Sequence, residues 1–126
     1  MSQWKAVAEL AKDVQAGRTR AIDLVEQSLQ AIEDHAEYQA VIATLAERAR
    51  KRAAHIDKQI AGGKTVGRLA GVPFIAKDNL LVYGADATAG SAILRGFDPP
   101  YQATVINRLE AEGAICVAKA NQDAFG

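Results

Sequence analysis

Two short apolar segments, separated by a long glycine-dotted stretch and one helix, constrain this chain more than anything else in it. The first runs from Leu69 to Lys77 and contains Gly71 and Pro73. It predicts a buried strand whose latter part is Phe74 to Lys77. The second, Ala114-Ile115-Cys116-Val117-Ala118, holds no charged residue, the pattern of a strand buried on both faces. Between them Pro99-Pro100 leads into a helix carrying Val105, Ile106 and Leu109, and Gly113 stops it. Strand, helix and strand with a tight glycine turn predict a parallel crossover, and hence an α/β fold. In such sheets chemistry gathers just beyond the carboxyl ends of the strands. Here those ends are Lys77-Asp78-Asn79 and Lys119-Ala120-Asn121.

The preceding half reads as mainly helical. Trp4, Val7, Ala8, Ala11 and Val14 recur at helical spacing behind a possible Ser2 cap, with Gly17 as the stop. Thr19 is placed to cap a second helix whose apolar stripe is Ile22, Val25, Leu29 and Ile32, fading near His35. Ala40 to Leu45 predicts a short strand, although helical spacing fits it almost as well. A third helix carries Ala46, Ala49, Ala53, Ile56 and Ile60 and ends at Gly62-Gly63. The expected organisation is therefore one unit over residues 1–126, mainly helical to residue 63 and strand-helix-strand from 64 onward.

Charge and cysteine content narrow the function classes. Residues 1–64 carry ten basic and nine acidic side chains, and the remainder five and six, so neither half reads as a nucleic-acid or membrane arm. No apolar run approaches membrane-spanning length, and a single cysteine forms no internal disulfide; the expectation is a cytoplasmic protein. Gly62-Gly63-Lys64-Thr65 imitates the end of a phosphate-binding loop, but Lys58 stands where that loop needs its first glycine, and the stretch closes a helix. Arg48, Arg50, Lys51 and Arg52 spread around the third helix and predict a solvated surface, with Glu47 pairing Lys51. His35 and His55 have no ligand partners at metal spacing, and Cys116 reads as core packing.

Lys77 has two readings. A lysine at the end of an apolar strand can run its stem along the surface and place its ammonium in solvent. Alternatively, a desolvated lysine can act as general base toward a serine hydroxyl, the Ser-Lys form of nucleophilic catalysis.

The segment Leu69-Ala70-Gly71-Val72-Pro73-Phe74-Ile75-Ala76-Lys77-Asp78-Asn79 resembles the lysine motif of the amidase-signature family. The resemblance continues through Thr88-Ala89-Gly90-Ser91, Pro99 to Val105 and Leu109 to Ile115, and on to Lys119-Ala120-Asn121-Gln122-Asp123-Ala124-Phe125. It departs from the family pattern at Ile75-Ala76, which reverses the commoner order, and at Ala87 and Ala124, which replace a frequent threonine and glutamate. Within the family, the serine-glycine stretch and the proline pair are most like the A subunit of the glutamyl/aspartyl-tRNA amidotransferases.

The resemblance implies a mixed β-sheet flanked by helices, of which this chain holds the N-terminal part. It implies a Ser-Ser-Lys mechanism with Lys77 as the terminal base. Both serines follow the segment matching Lys119 to Phe125 and so lie beyond this chain. Ser91 aligns with a structural position, and Asp78 and Asn79 are expected to fix the loop after the strand. The implied activity is glutamine hydrolysis that supplies ammonia for amidating mischarged Glu-tRNA or Asp-tRNA, with amidotransferase subunits B and C as partners. ATP and magnesium are expected on one of those partners, with no cofactor or metal in this chain. A stand-alone amidase, an allophanate hydrolase and a non-catalytic interaction module are the alternatives.

Overall fold

The expected crossover forms the centre of the fold. The computed structural model describes residues 3–126. In chain order the elements are helices α1 (Val7–Gln15) and α2 (Ala21–Asp34), strand β1 (Val41–Thr44), helix α3 (Ala46–Ala61), strand β2 (Pro73–Lys77), helix α4 (Thr104–Ala111) and strand β3 (Ile115–Ala120). Strand β3 lies between the other two, parallel to β2 and antiparallel to β1, which makes the α/β sheet mixed. Its central place explains its unbroken apolar sequence, because Ile115 through Lys119 are all buried.

Side chains of β3 feed two cores, and their alternation is interrupted where the register with β2 shifts between Phe74 and Ile75, so that Ala118 joins Val117. Ile115 and Val117 pack with Leu10, Val14, Leu24, Val25, Ala49, Ala53 and Ile56 from the first three helices. Cys116 instead joins Leu45, Ala76, Val82 and Ile106, the last of which anchors α4. Helices thus flank the sheet.

The expectation of a buried strand at Phe74 to Lys77 is corrected. Only Ala76 is fully buried within β2, whereas Ile75 is 47% exposed and Lys77 is exposed as well. The reason is topological: β2 is hydrogen-bonded on one side only, at an edge of this three-stranded sheet. Strand β3 in turn runs two residues past its apolar stretch and takes in Lys119 and Ala120.

Helix ends follow the glycine signals more closely than the caps. Gly17 and Gly63 adopt positive φ after α1 and α3, as their positions predict. After α4, Gly113 has φ +93°, and a Cβ there would sit 2.8 Å from Val66 Cγ1 and 2.9 Å from Ala70 Cα. Only glycine fits that close approach. At the other ends, α1 starts at Val7 rather than Trp4, and the suggested Ser2 cap lies outside the described residues. Thr19 does not cap α2. Instead Asp57 of α3 accepts hydrogen bonds from the Ala21 amide at 2.7 Å and the Ile22 amide at 3.1 Å. A carboxylate from a neighbouring helix satisfies the orphan donors more strongly than a hydroxyl could.

The basic knot on α3 is only partly the solvated surface its sequence predicts. Lys51 does pair with Glu47 at 3.1 Å, and Arg50 with Glu26, both at exposed positions. Arg48, however, donates to Glu110 at 2.6 Å and to Gln102 at 2.8 Å. Arg52 donates to the Glu110 and Ala114 carbonyls at 3.1 and 3.2 Å, at the end of α4. Burial lowers the Arg52 pKa from its usual value, with Glu110 opposing that shift. These two arginines hold α3 to the crossover rather than facing water.

Candidate active site

Because β2 and β3 are parallel, their carboxyl ends meet side by side: Ala76 pairs with Lys119 and Lys77 with Ala120. Lys77 is the last residue of β2, and its carbonyl accepts from the Leu80 amide at 2.9 Å, closing a tight turn. Ala76 and Asp78 on either side are buried, so strand alternation turns Lys77 the opposite way, where it is exposed.

Asp78 and Lys119 lie beneath this turn, each with 0% exposure. Lys119 Nζ stands 3.0 Å from Asp78 Oδ1 and donates to the Leu80 carbonyl at 2.8 Å. Asp78 Oδ2 accepts from the Thr88 amide at 3.1 Å and from the Thr88 hydroxyl. Asp78 Oδ1 receives no aligned hydrogen bond, so its contact with Lys119 is an ion pair in the strict sense.

The loops after the two strands clasp each other. The Asp78 amide donates to Ala120 at 3.1 Å, the Asn79 amide to Gln122 Oε1 at 3.1 Å, and the Phe125 amide to Ala89 at 2.6 Å. Gly90 lies against this tail, where a Cβ would come within 2.9 Å of the Gln122 carbonyl. Asp78 thus fixes the loop after β2, as its position predicts. Ser91 has a local structural role, since its hydroxyl accepts from the Ile93 amide at 3.3 Å.

The remaining candidates fall elsewhere. Gly62 caps the end of α3, so the phosphate-loop imitation is a helix stop. Cys116 is fully buried, and desolvation raises its thiol pKa, which keeps it a core residue. His35 is the residue that ends α2, with Nδ1 2.9 Å from the Ala31 carbonyl and its ring stacked on Tyr38. Among the described residues no group of three or more His, Cys, Asp or Glu side chains is arranged to hold a metal ion. No helix among them is long and apolar enough to cross a membrane.

Both strand ends stand out in the sequence, but the partnership of Lys119 with Asp78 does not. The available signal was a pair of opposite charges at equivalent ends of two adjacent parallel strands.

Comparison with known proteins places this chain in a family. A family-wide profile described as Amidase matches residues 23–126. The A subunit of the glutamyl-tRNA(Gln) amidotransferase of Cyanothece sp. is 39% identical over 121 residues, covering 95% of this chain and 25% of that protein. Its mitochondrial counterpart in Ixodes scapularis is 37% identical over 120 residues, 95% of this chain and 24% of that protein. Among solved structures, the peptide amidase of Stenotrophomonas maltophilia aligns with a TM-score of 0.87 at 30% identity, covering 96% of this chain and 25% of its own. A bacterial aryl acylamidase of the amidase-signature family aligns with a TM-score of 0.89 at 26% identity, covering 98% of this chain and 26% of its own. The chain belongs to the amidase-signature family. It spans about a quarter of the length of these relatives.

Proposed function

We propose that residues 1–126 are the first part of one amidase domain and that Lys77 is the terminal base of its Ser-Ser-Lys mechanism. In that chemistry a serine Oγ attacks the amide carbonyl while its proton passes through a second serine to the neutral lysine amine. The proton returns to the departing nitrogen, ammonia leaves, and water hydrolyses the acyl-serine. The observation that carries this reading is the position of Lys77. It ends a strand in the lysine motif, at the carboxyl edge where open α/β sheets place their sites. Its exposure is that of a side chain reaching into the space beyond β2, where a serine-bearing segment would have to approach.

The likeness to the A subunits of tRNA-dependent amidotransferases supports a finer reading. Glutamine is then the amide substrate, and its ammonia passes to a complex with subunits B and C that amidates mischarged Glu-tRNA or Asp-tRNA. ATP and magnesium are assigned to one of those partners, and no step in this chain runs through them. The likeness to peptide amidase and aryl acylamidase supports a second reading, a stand-alone hydrolase of the same chemistry.

Ammonia release from glutamine separates the two. The complete protein is assayed alone and with subunits B and C, ATP and mischarged tRNA. Partner-dependent glutamine hydrolysis coupled to tRNA amidation supports the finer reading. Full turnover of simple amides without partners, and no amidation with them, contradicts it.

A further inference from the structure

We propose that the buried Asp78–Lys119 pair is the positioning element for Lys77, a role that rests on the reading of Lys77 as the base. Well-packed apolar side chains in place of a buried ion pair are often as stable or more so, so stability alone is a weak reason for one to exist. What such a pair adds is a fixed geometry, and its location shows which geometry. Lys77 ends a strand that is hydrogen-bonded on one side only. Within this chain, the sheet hydrogen bonds to that end come from β3.

The pair closes a ring through that support. The Lys77 carbonyl accepts from the Leu80 amide at 2.9 Å, and the Leu80 carbonyl accepts from Lys119 Nζ at 2.8 Å. Lys119 meets Asp78 at 3.0 Å, and the Asp78 amide returns to the β3 carbonyl of Ala120 at 3.1 Å. The turn that follows Lys77 cannot slide or twist without breaking one of these links. Asp78 also holds Thr88, and Ala89 next to it accepts from the Phe125 amide. One buried pair therefore sets the backbone of Lys77 and the tail after β3 together. General-base catalysis is sensitive to placement at this scale, since a misplacement of about 1 Å costs up to about 100-fold in rate.

The test uses the complete protein and the double variant Asp78→Asn/Lys119→Met, which removes both charges at nearly constant volume. The expected result is a kcat lower by about 10- to 100-fold, with KM within about twofold and a folded protein whose Tm falls modestly, because the Leu80 carbonyl loses its Lys119 donor. Wild-type kcat in a folded double variant overturns the proposal, because it shows a structural pair that Lys77 does not need. Should the double variant fail to fold, Thr88→Val carries the decision, since it removes one hydroxyl bond to Asp78 and keeps both charges. Lowered kcat at unchanged KM and Tm then supports the proposal, and unchanged kcat refutes it. The base reading fails separately, through an active Lys77→Arg protein. An inactive Lys77→Arg protein beside a fully active double variant refutes the positioning role alone.

Discussion

Replacing Asp57 with alanine removes both hydrogen bonds that cap helix α2, those from the Ala21 and Ile22 amides. Loss of an ordinary side-chain cap costs about 0.5–2 kcal/mol. This cap is a carboxylate making two bonds at a partly buried helix start, where the macrodipole also favours negative charge, so the upper end of that range applies, about 2 kcal/mol. For the 126 residues melting as one cooperative unit, an unfolding entropy of about 2.1 cal/mol/K per residue converts this to a Tm lower by about 8 °C. The assay is thermal unfolding of the chain followed by far-ultraviolet circular dichroism, for wild type, Asp57→Ala and Asp57→Asn. Asparagine keeps the shape and one acceptor, so it should fall between the other two. An alanine variant melting within about 1 °C of wild type would show that Asp57 does not stabilise α2, with water or Thr19 replacing the cap at no cost.

Two further outcomes follow from the same structure. Hydrogen bonds from Lys5 and Arg18 lower the Asp13 pKa, a hydrogen bond from Arg50 lowers that of Glu26, and the Arg68 amide and guanidinium lower that of Glu112. Folded values below the unfolded ones contribute stability above the ordinary carboxylate range, and it is lost as pH falls through the folded values. The urea midpoint should therefore decline between about pH 5 and pH 3, and less steeply at about 1 M salt because these pairs are exposed; a midpoint that rises over that interval contradicts the assignment. Cys116, buried with a raised thiol pKa, should resist alkylation in the folded chain and react promptly in urea, whereas labelling of the native chain at a free-thiol rate would place it outside the core.

Much of the fold was legible because its signals are local. Gly17, Gly63 and Gly113 mark helix ends through a backbone conformation that few other residues adopt, and the run from Ile115 to Ala118 is apolar because it becomes the central strand. The misreadings share a tertiary cause. Asp57 caps a helix that begins 36 residues earlier, and Arg48 and Arg52 find partners about 60 residues away. No window-sized pattern contains both members of such pairs. The apolar sequence of β2 reads as buried, yet exposure depends on which strands stand beside it, and in this sheet one side is open. At the candidate site, Lys77 was found through its motif. The Asp78–Lys119 pair, by contrast, emerges only when β2 and β3 are laid parallel and in register.

Proton uptake by Lys77 is tested by amide hydrolysis of the complete protein in wild type, Lys77→Ala and Lys77→Arg, each verified as folded. A terminal base must be neutral when it accepts the proton, and arginine stays charged at any working pH. Alanine and arginine variants should therefore lose activity together, by about 100-fold or more. A lysine that merely reaches solvent from the strand end would tolerate arginine, which keeps the charge and much of the stem. Near-wild-type turnover by Lys77→Arg would contradict the account.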